Sequence, residues 1–311
     1  MKLRLGTRGS ALARWQADFV KAELGRLAPD VEIEIVLIAT QGDKTQTGSI
    51  EAMGAQGVFT KEIQRALLDN EIDFAVHSLK DLPTDVIEGV SLAASPKRGP
   101  LRDAIISPVC QTLDTLPQGA RIGTGSLRRR AQLLNLRPDL NVQDIRGNVD
   151  TRLRKLDEGQ YDAILLAEAG LVRLGWDARI TELLEPTRFL PAVGQGALGI
   201  EARDGDKTTR HVLDLLNDPA TWAAIIAERA MLTTLRGGCL APIGAWGRIG
   251  ENGSLRLTGK VLDPEGRQAL LVDQSGLCES PVELGVTVAQ SLLEQGADVL
   301  IQGSRDEQDH E

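Results

Sequence analysis

Ile72-Asp73-Phe74-Ala75-Val76-His77-Ser78-Leu79-Lys80-Asp81-Leu82-Pro83 is the stretch whose reading decides the fold. Residues 72–76 form an apolar run that reads as a buried strand. The run stops at a group of polar and ionisable residues, and Pro83 then forbids further sheet pairing. A buried strand that ends in Lys80 and Asp81 is where open α/β sheets place their ligands. One carboxylate beside one ammonium makes Asp81 and Lys80 candidates for a reaction centre. His77, just inside the strand end, reads as a structural hydrogen-bonding residue.

The same grammar extends outward on both sides. Residues 2–5 read as a short strand. Ser10 is placed to N-cap a helix with Leu12, Trp15, Phe19, Leu24 and Leu27 along its apolar face, ended by Pro29. Val31, Ile33, Ile35 and Leu37 alternate as a strand. Residues 44–57 are rich in Gly, Ser, Thr and Gln without an apolar period, and read as a long mobile loop of the lid kind. Thr60 is placed to cap the next helix. Residues 94–100, with two prolines, a glycine and two charges, read as a domain boundary.

Past that boundary the alternation resumes. Residues 122–124, 142–145 and 163–167 read as strands, with helices after Ser126 and over 149–156. The repeat predicts two similar doubly wound α/β domains, with ligands in a cleft between them. Residues 190–196 form a second Pro/Gly passage, predicted to carry the chain back to the first domain. From Asp218 the pattern changes to a helix over 222–235, three extended runs separated by hairpin-type turns, and a helix over 282–294. This predicts a smaller α+β C-terminal domain with a polar, disordered tail from Ser304. The predicted domains are 1–97 with 197–215, 101–192 and 218–311.

Composition narrows the function classes. A chain of 311 residues exceeds what one core organises. Its net charge of −9 disfavours nonspecific nucleic-acid binding. No run approaches a membrane span, and the start lacks the apolar core of a signal peptide, so a cytoplasmic location is expected. Cys110, Cys239 and Cys278 are odd in number and far apart, and form neither a disulfide framework nor a metal-ligand spacing. The three histidines are equally scattered, so no metal is expected.

Charge is unevenly spread. Between Arg121 and Lys155 lie nine basic residues, eight of them arginine, against three acids. A solvated helix face accounts for one such arginine. A cluster of planar forks inside an acidic protein argues for a polyanionic ligand. Three strand ends carry arginine near a helix start: Thr7-Arg8-Gly9-Ser10, then Gly123-Thr124-Gly125-Ser126-Leu127-Arg128-Arg129, then Arg146-Gly147-Asn148 with Arg152. Helix N-termini bind anions, but cations in a first helical turn oppose the helix dipole. A bound anion would offset that cost. The third glycine of a dinucleotide fingerprint is replaced by Arg128, and no Walker pattern occurs. Arg236-Gly237-Gly238-Cys239-Leu240-Ala241-Pro242 presents a thiol on a bend, the setting of a nucleophile or an attachment point.

Taken together, these stretches resemble the porphobilinogen deaminase (hydroxymethylbilane synthase) family. The matching segments are Thr7–Ser10 with Trp15-Gln16, Gln41-Gly42-Asp43, His77 to Pro83, Gly123 to Arg129, Arg146 to Arg152, Ala169 to Leu174, Pro191 to Gly196 and Gly237 to Pro242. They occur in family order and span nearly the whole chain. The resemblance implies three domains, the first two like type II periplasmic binding proteins. It implies a dipyrromethane cofactor held by Cys239 through a thioether, itself built from substrate and acting as primer. Four porphobilinogen molecules would be deaminated and added in turn, and water would release the linear tetrapyrrole.

The resemblance also implies roles for individual residues. Asp81 would be catalytic. Lys80, Asp81, Ser126, Arg128, Arg129 and Arg152 would contact the cofactor. Arg8, Ser10, Gln16, Arg146, Arg152 and Arg173 would hold substrate. The implied protein is a monomer that meets porphobilinogen and neither nucleic acid nor membrane. Two positions depart from the family: Gln56, where lysine is usual, and Arg236, where glutamate is usual. The competing reading is a non-catalytic bilobal receptor for a small polycarboxylate, which gives Cys239 and the C-terminal domain no role.

Overall fold

The computed structural model describes residues 1–40, 60–85, 87–236 and 241–306. They fall into two units, Met1–Gly99 with Ala197–Trp222, and Pro100–Gly196 with Ala223–Glu311. The first unit is built on a sheet of β1 (Lys2–Thr7), β2 (Glu32–Leu37), β3 (Phe74–Ser78), β4 (Val90–Ala94) and β10 (Leu198–Arg203), in the order β2-β1-β3-β10-β4. β1 runs parallel to β2 and β3, and β10 antiparallel to β3 and β4. One face packs on α1 (Ala11–Leu27) and α6 (Lys207–Asp214) through Leu5, Val20, Leu24, Phe74 and Leu213. The other packs on α2 (Lys61–Leu68) through Ile63, Ala66, Leu67 and Ile72.

The apolar run at residues 72–76 gives a strand displaced toward its polar end. Ile72 packs in the α2 cluster, while His77 and Ser78 are strand residues paired with Gly199 and Leu198. The partner strand arrives from more than a hundred residues away, so the local sequence could not reveal it. Its arrival also shows that the Pro/Gly passage at 190–196 returns the chain to the first sheet. Ser10 caps α1, accepting from Ala13 N at 3.3 Å. Thr60 makes no side-chain cap, because its own backbone is helical (φ −116°, ψ −25°) and a capping hydroxyl needs an extended one. The predicted lid loop at 44–57 lies outside the described residues.

The second unit holds two sheets. The larger contains β5 (Asp103–Ile106), β6 (Arg121–Gly123), β7 (Asn141–Gln143), β8 (Ala163–Ala167) and β9 (Glu182–Leu184), in the order β7-β6-β8-β5-β9. Here too three strands are parallel, and the fourth runs antiparallel between its neighbours. The plan of the first sheet is thus repeated. α3 (Leu127–Leu136) covers one face, and α4 (Val149–Asp157) and α5 (Glu168–Arg173) the other.

The smaller sheet is an antiparallel meander of β11 (Ile243–Ile249), β12 (Leu255–Leu262) and β13 (Ala269–Gly276). It packs on α7 (Pro219–Leu235), α8 (Pro281–Glu294) and α9 (Ala297–Asp306). α9 replaces the first part of the tail predicted to be disordered. Ala297, Leu300 and Ile301 are buried at helical spacing ahead of the polar end.

Residues 189–196 are tied down between these layers. Gln132 clamps Leu190 at both backbone groups, at 2.8 and 2.9 Å. Ala245 N donates to Pro191 O. The buried Glu228 carboxylate accepts from Gly194 N and Gly247 N, both at 2.7 Å. α8 crosses α7 at Gly285, where a Cβ would lie 2.4 Å from Ala227 O and 2.9 Å from Met231 N. Backbone atoms cannot swing aside as a side-chain tip would. Gly285→Ala should therefore cost about 1–3 kcal/mol in denaturant unfolding. Gly25→Ala, on an exposed helical position with open space around it, should instead stabilise by about 0.5–1 kcal/mol. Equal effects of the two substitutions would contradict this packing.

Candidate active site

The candidate residues of the first unit stand at or near the carboxyl ends of parallel strands. β1 ends at Thr7 and delivers Arg8 and Ser10, while β3 ends at Ser78 and turns through Leu79–Asp81. The turn is short and single: Leu82 N closes on Leu79 O at 3.1 Å, and Pro83 follows. Leu79 and Leu82 are buried, Lys80 is half-buried, and Asp81 is exposed. The turn therefore roots itself with two leucines and presents the intervening ammonium and carboxylate. Gln16, buried on α1, donates to Ser78 Oγ at 2.7 Å. Arg8, Ser10, Gln16, Lys80 and Asp81 thus gather along one sheet edge.

The second unit repeats the arrangement. β6 ends at Gly123 and leads through Thr124 and Gly125 to Ser126, whose hydroxyl caps α3 by accepting from Arg129 N at 3.4 Å. Gly125 is needed because a Cβ there would lie 3.0 Å from Asp144 Oδ1 and 3.1 Å from Ile145 O. β7 leads to Arg146, which is exposed and paired with Asp144 at 2.7 Å. Arg152 donates from Nε to Gly147 O at 2.7 Å. That carbonyl belongs to a glycine at φ +112°, where a Cβ would meet Thr151 at 2.6 Å. β8 leads into α5 and Arg173, which donates to Gly196 O at 2.7 Å. Burial lowers the Arg173 pKa to about 10. Ser126, Arg128, Arg129, Arg146, Arg152 and Arg173 therefore share the corresponding edge of the second sheet.

Arg128 and Arg129 are both buried, on the first turn of α3. The sequence left the cost of that placement to a bound anion. The protein itself supplies part of the answer, in Asp103 at the start of β5. Its carboxylate is wholly buried and accepts from Arg128 Nη1 and Arg129 Nε, each at 2.8 Å. Arg128 also donates to Leu190 O at 2.5 Å and Arg129 to Leu165 O at 3.2 Å. Burial by itself would raise the Asp103 pKa, but the two guanidinium charges and their hydrogen bonds hold it well below the usual carboxylate range. Burial and the Arg129 charge press the Arg128 pKa down against the pull of Asp103.

Two guanidinium groups share this one carboxylate, so the cluster keeps one positive charge in excess. Among the described residues, the buried Arg128 Nε has no hydrogen-bond partner. An arginine edge of that kind matches a carboxylate or phosphate oxygen.

Sequence reasoning missed Asp103, because four residues (103–106) between a Pro/Gly passage and a turn gave no period to read. It also missed Glu201, whose strand only the sheet order reveals. His77 is buried with its Nε2 2.9 Å from Glu201 Oε2, but among the described residues that nitrogen makes no hydrogen bond, so the hydrogen-bonding role read from the sequence is not met there. Cys239 lies outside the described residues. Cys110 is buried, and the Cys278 thiol donates to Gly253 O at 3.3 Å. Among the described residues no cluster of His, Cys, Asp or Glu is arranged to hold a metal ion, and no helix is long and apolar enough to cross a membrane.

Comparison with known proteins bears on this arrangement directly. Residues 3–211 match the family model described as porphobilinogen deaminase, dipyromethane cofactor binding domain. Residues 222–294 match the one described as porphobilinogen deaminase, C-terminal domain. The chain is similar to the porphobilinogen deaminase of Brevibacillus brevis, 46% identical over 306 residues and 98% of each chain. It is also similar to that of Acidithiobacillus ferrooxidans, 48% identical over 303 residues, 97% of this chain and 98% of the other. Among solved structures it is similar to a periplasmic substrate-binding protein of an ABC transporter from Coxiella burnetii, with a TM-score of 0.44, 14% identity, and coverage of 71% of this chain and 94% of that one. With both family models matched and nearly half the residues shared along its length, this chain belongs to the porphobilinogen deaminase family.

Proposed function

We propose that the chain is a hydroxymethylbilane synthase. It deaminates four porphobilinogen molecules, joins them head to tail on a covalent dipyrromethane primer, and releases the linear tetrapyrrole with water, for tetrapyrrole biosynthesis. The observation that carries this reading is the buried Arg128 Nε–H, which has no partner among the described residues, in a cluster with one cation in excess. What such a cluster lacks is a carboxylate, and each pyrrole of the primer and the substrate bears two. The residues present therefore fit the cofactor. Arg128, Arg129, Ser126, Arg152 and Lys80 would hold its carboxylates, and Cys239 would carry the thioether.

When bound, the cofactor supplies the nucleophilic pyrrole carbon on which the chain grows. The protein's own groups bind, orient and stabilise. Arg8, Arg146 and Arg173, with Ser10 and Gln16, take the carboxylates of the incoming porphobilinogen. Even with its pKa lowered to about 10, Arg173 stays cationic at neutral pH. When the substrate's C–N bond breaks, ammonia leaves with the electron pair and positive charge spreads onto the pyrrole nitrogen. Asp81 meets that charge with a carboxylate fixed at a strand end, and accepts the ring N–H as a hydrogen bond. Preorganised stabilisation of this kind is commonly the largest single catalytic contribution.

The separate apolar clusters of the three sheets support division into domains 1–97 with 197–215, 101–192 and 218–311. The reading is of a cytoplasmic monomer acting on small molecules, and the net charge of −9 supports the absence of nucleic acid. A polycarboxylate receptor would use the same arginines, but it leaves residues 222–294 and Cys239 idle.

Cys239→Ala should purify as a folded chain whose intact mass is that of the 33.5 kDa polypeptide alone, without turnover. Cys110→Ala and Cys278→Ala should keep both the added mass and the activity. Normal turnover by Cys239→Ala would sink the assignment. Asp81→Asn removes the charge and keeps the size, so kcat for porphobilinogen should fall about a hundredfold or more with little change in KM. A raised KM at unchanged kcat would reduce Asp81 to a binding group.

Asp103→Asn leaves two buried guanidinium groups without their carboxylate and should cost about 3–5 kcal/mol at neutral pH. The Asp103 pKa is lower folded than unfolded, so its contribution is complete above the unfolded value of about 3.9 and is lost as pH falls through the folded one. The stability gap between Asp103→Asn and the parent protein should therefore narrow only below about pH 4. A gap that is small at pH 7 would show that the cluster is not held by Asp103.

A further inference from the structure

Three features of β10 converge on the turn that presents Asp81. Leu79 N donates to Ala197 O at 3.1 Å, so the strand's approach sets the backbone at the start of the turn. Gly199 leaves room for the two leucines that root the turn: a Cβ there would lie 2.8 Å from Leu79 Cδ1 and 3.6 Å from Leu82 Cδ2. Two residues further on, Glu201 accepts from Gln64 Nε2 at 3.0 and 3.3 Å and lies 2.9 Å from His77 Nε2. Glu201, His77 and Gln64 are all at least nine-tenths buried.

A carboxylate in the middle of a sheet is an expensive way to fill space. Burying it costs several kcal/mol, and a well-packed apolar side chain there would be neutral or better for stability. What a buried carboxylate does provide is direction. Its oxygens accept from the Gln64 amide on one side and lie against the His77 ring on the other. His77 stands four residues before Asp81, on the strand whose end forms the turn. Gln64 stands on α2, which packs on the same face of the sheet.

We propose that Glu201 is a positioning residue. Acting through His77 and Gln64, it fixes the end of β3 and so the place of the Asp81 carboxylate. The inference rests on the role given to Asp81 above. Glu201 Oε2 stands 2.9 Å from His77 Nε2, so the strand end cannot twist without disturbing that buried contact. The charge on Glu201 thus acts on the reaction while touching neither substrate nor cofactor.

The test uses the purified, cofactor-loaded protein and compares Glu201→Gln, His77→Asn and the double variant with the parent. Loading is checked by intact mass and folding by thermal unfolding. A group displaced by about 1 Å can cost up to about a hundredfold in rate. In Glu201→Gln, kcat per loaded molecule should therefore fall by roughly ten- to a hundredfold while KM stays within about twofold. The double variant should be no slower than the slower single one, because both act through one contact. The chain has three histidines, His77, His211 and His310. In ¹⁵N-histidine spectra the His77 ring signals, identified by their loss in His77→Asn, should shift in Glu201→Gln.

If Glu201→Gln does not fold, Gln64→Ala serves in its place, since it removes one partner and keeps the charge. A several-fold fall in its kcat at constant KM supports the proposal, and an unchanged kcat overturns it. Unchanged kcat in Glu201→Gln, a change confined to KM, or additive losses in the double variant would each overturn it as well. A parent protein that does not consume porphobilinogen would sink the functional reading first, and this inference with it.

Discussion

Asp103 has no solvent exposure, and two guanidinium groups meet on its carboxylate. The second sheet's edge is organised around that contact. It draws the first turn of α3 onto the start of β5, and β5 lies beside β8 in the order β7-β6-β8-β5-β9. Arg128 extends the contact to the carbonyl of Leu190, and through it to the passage that returns the chain to the first sheet. Ion pairs this deep are seldom there for stability alone, because apolar side chains of similar volume would cost less. Two cations on one anion are costlier still, unless a second anion is present while the protein works.

Both large sheets solve the same problem in the same way. Parallel strands end together, so the loops that follow them share an edge, and short polar loops there meet helix N-termini. In the first sheet the edge carries a carboxylate on a rooted turn. In the second it carries six residues suited to carboxylate ligands, five of them arginine. The antiparallel strand in each sheet reaches that edge from the other direction. β10 braces the turn that holds Asp81, and β5 brings Asp103 to the arginines.

Much of this was legible in the chain alone, because it is written in local signals. The β-α-β alternation, the caps at Ser10 and Ser126 and the C-terminal meander all depend on neighbours a few positions apart. What stayed hidden depends on distant partners. β3 reaches Ser78 only because β10 pairs with it, and nothing near residue 78 announces that. The arginines at 128 and 129 read as ligand-facing residues, yet each spends hydrogen bonds on a protein carboxylate 25 or 26 positions earlier. Gln16 likewise read as a substrate contact, and its amide is engaged by Ser78. Thr60 makes no cap because its own backbone is helical. Buried polar pairs leave little trace in periodicity, since one buried acid in a strand looks like a break in the strand.

The central claim is that the charge left over on the Asp103 cluster awaits a carboxylate of the covalent primer. A crystal structure of the purified, cofactor-loaded protein tests it most directly. The account predicts Arg128 Nε within roughly 2.7–3.2 Å of a carboxylate oxygen of a dipyrromethane attached to Cys239, with Asp103 still on Nη1. Arg128 Nε turned to a protein carbonyl or to water, with the cofactor's carboxylates held elsewhere, would contradict it.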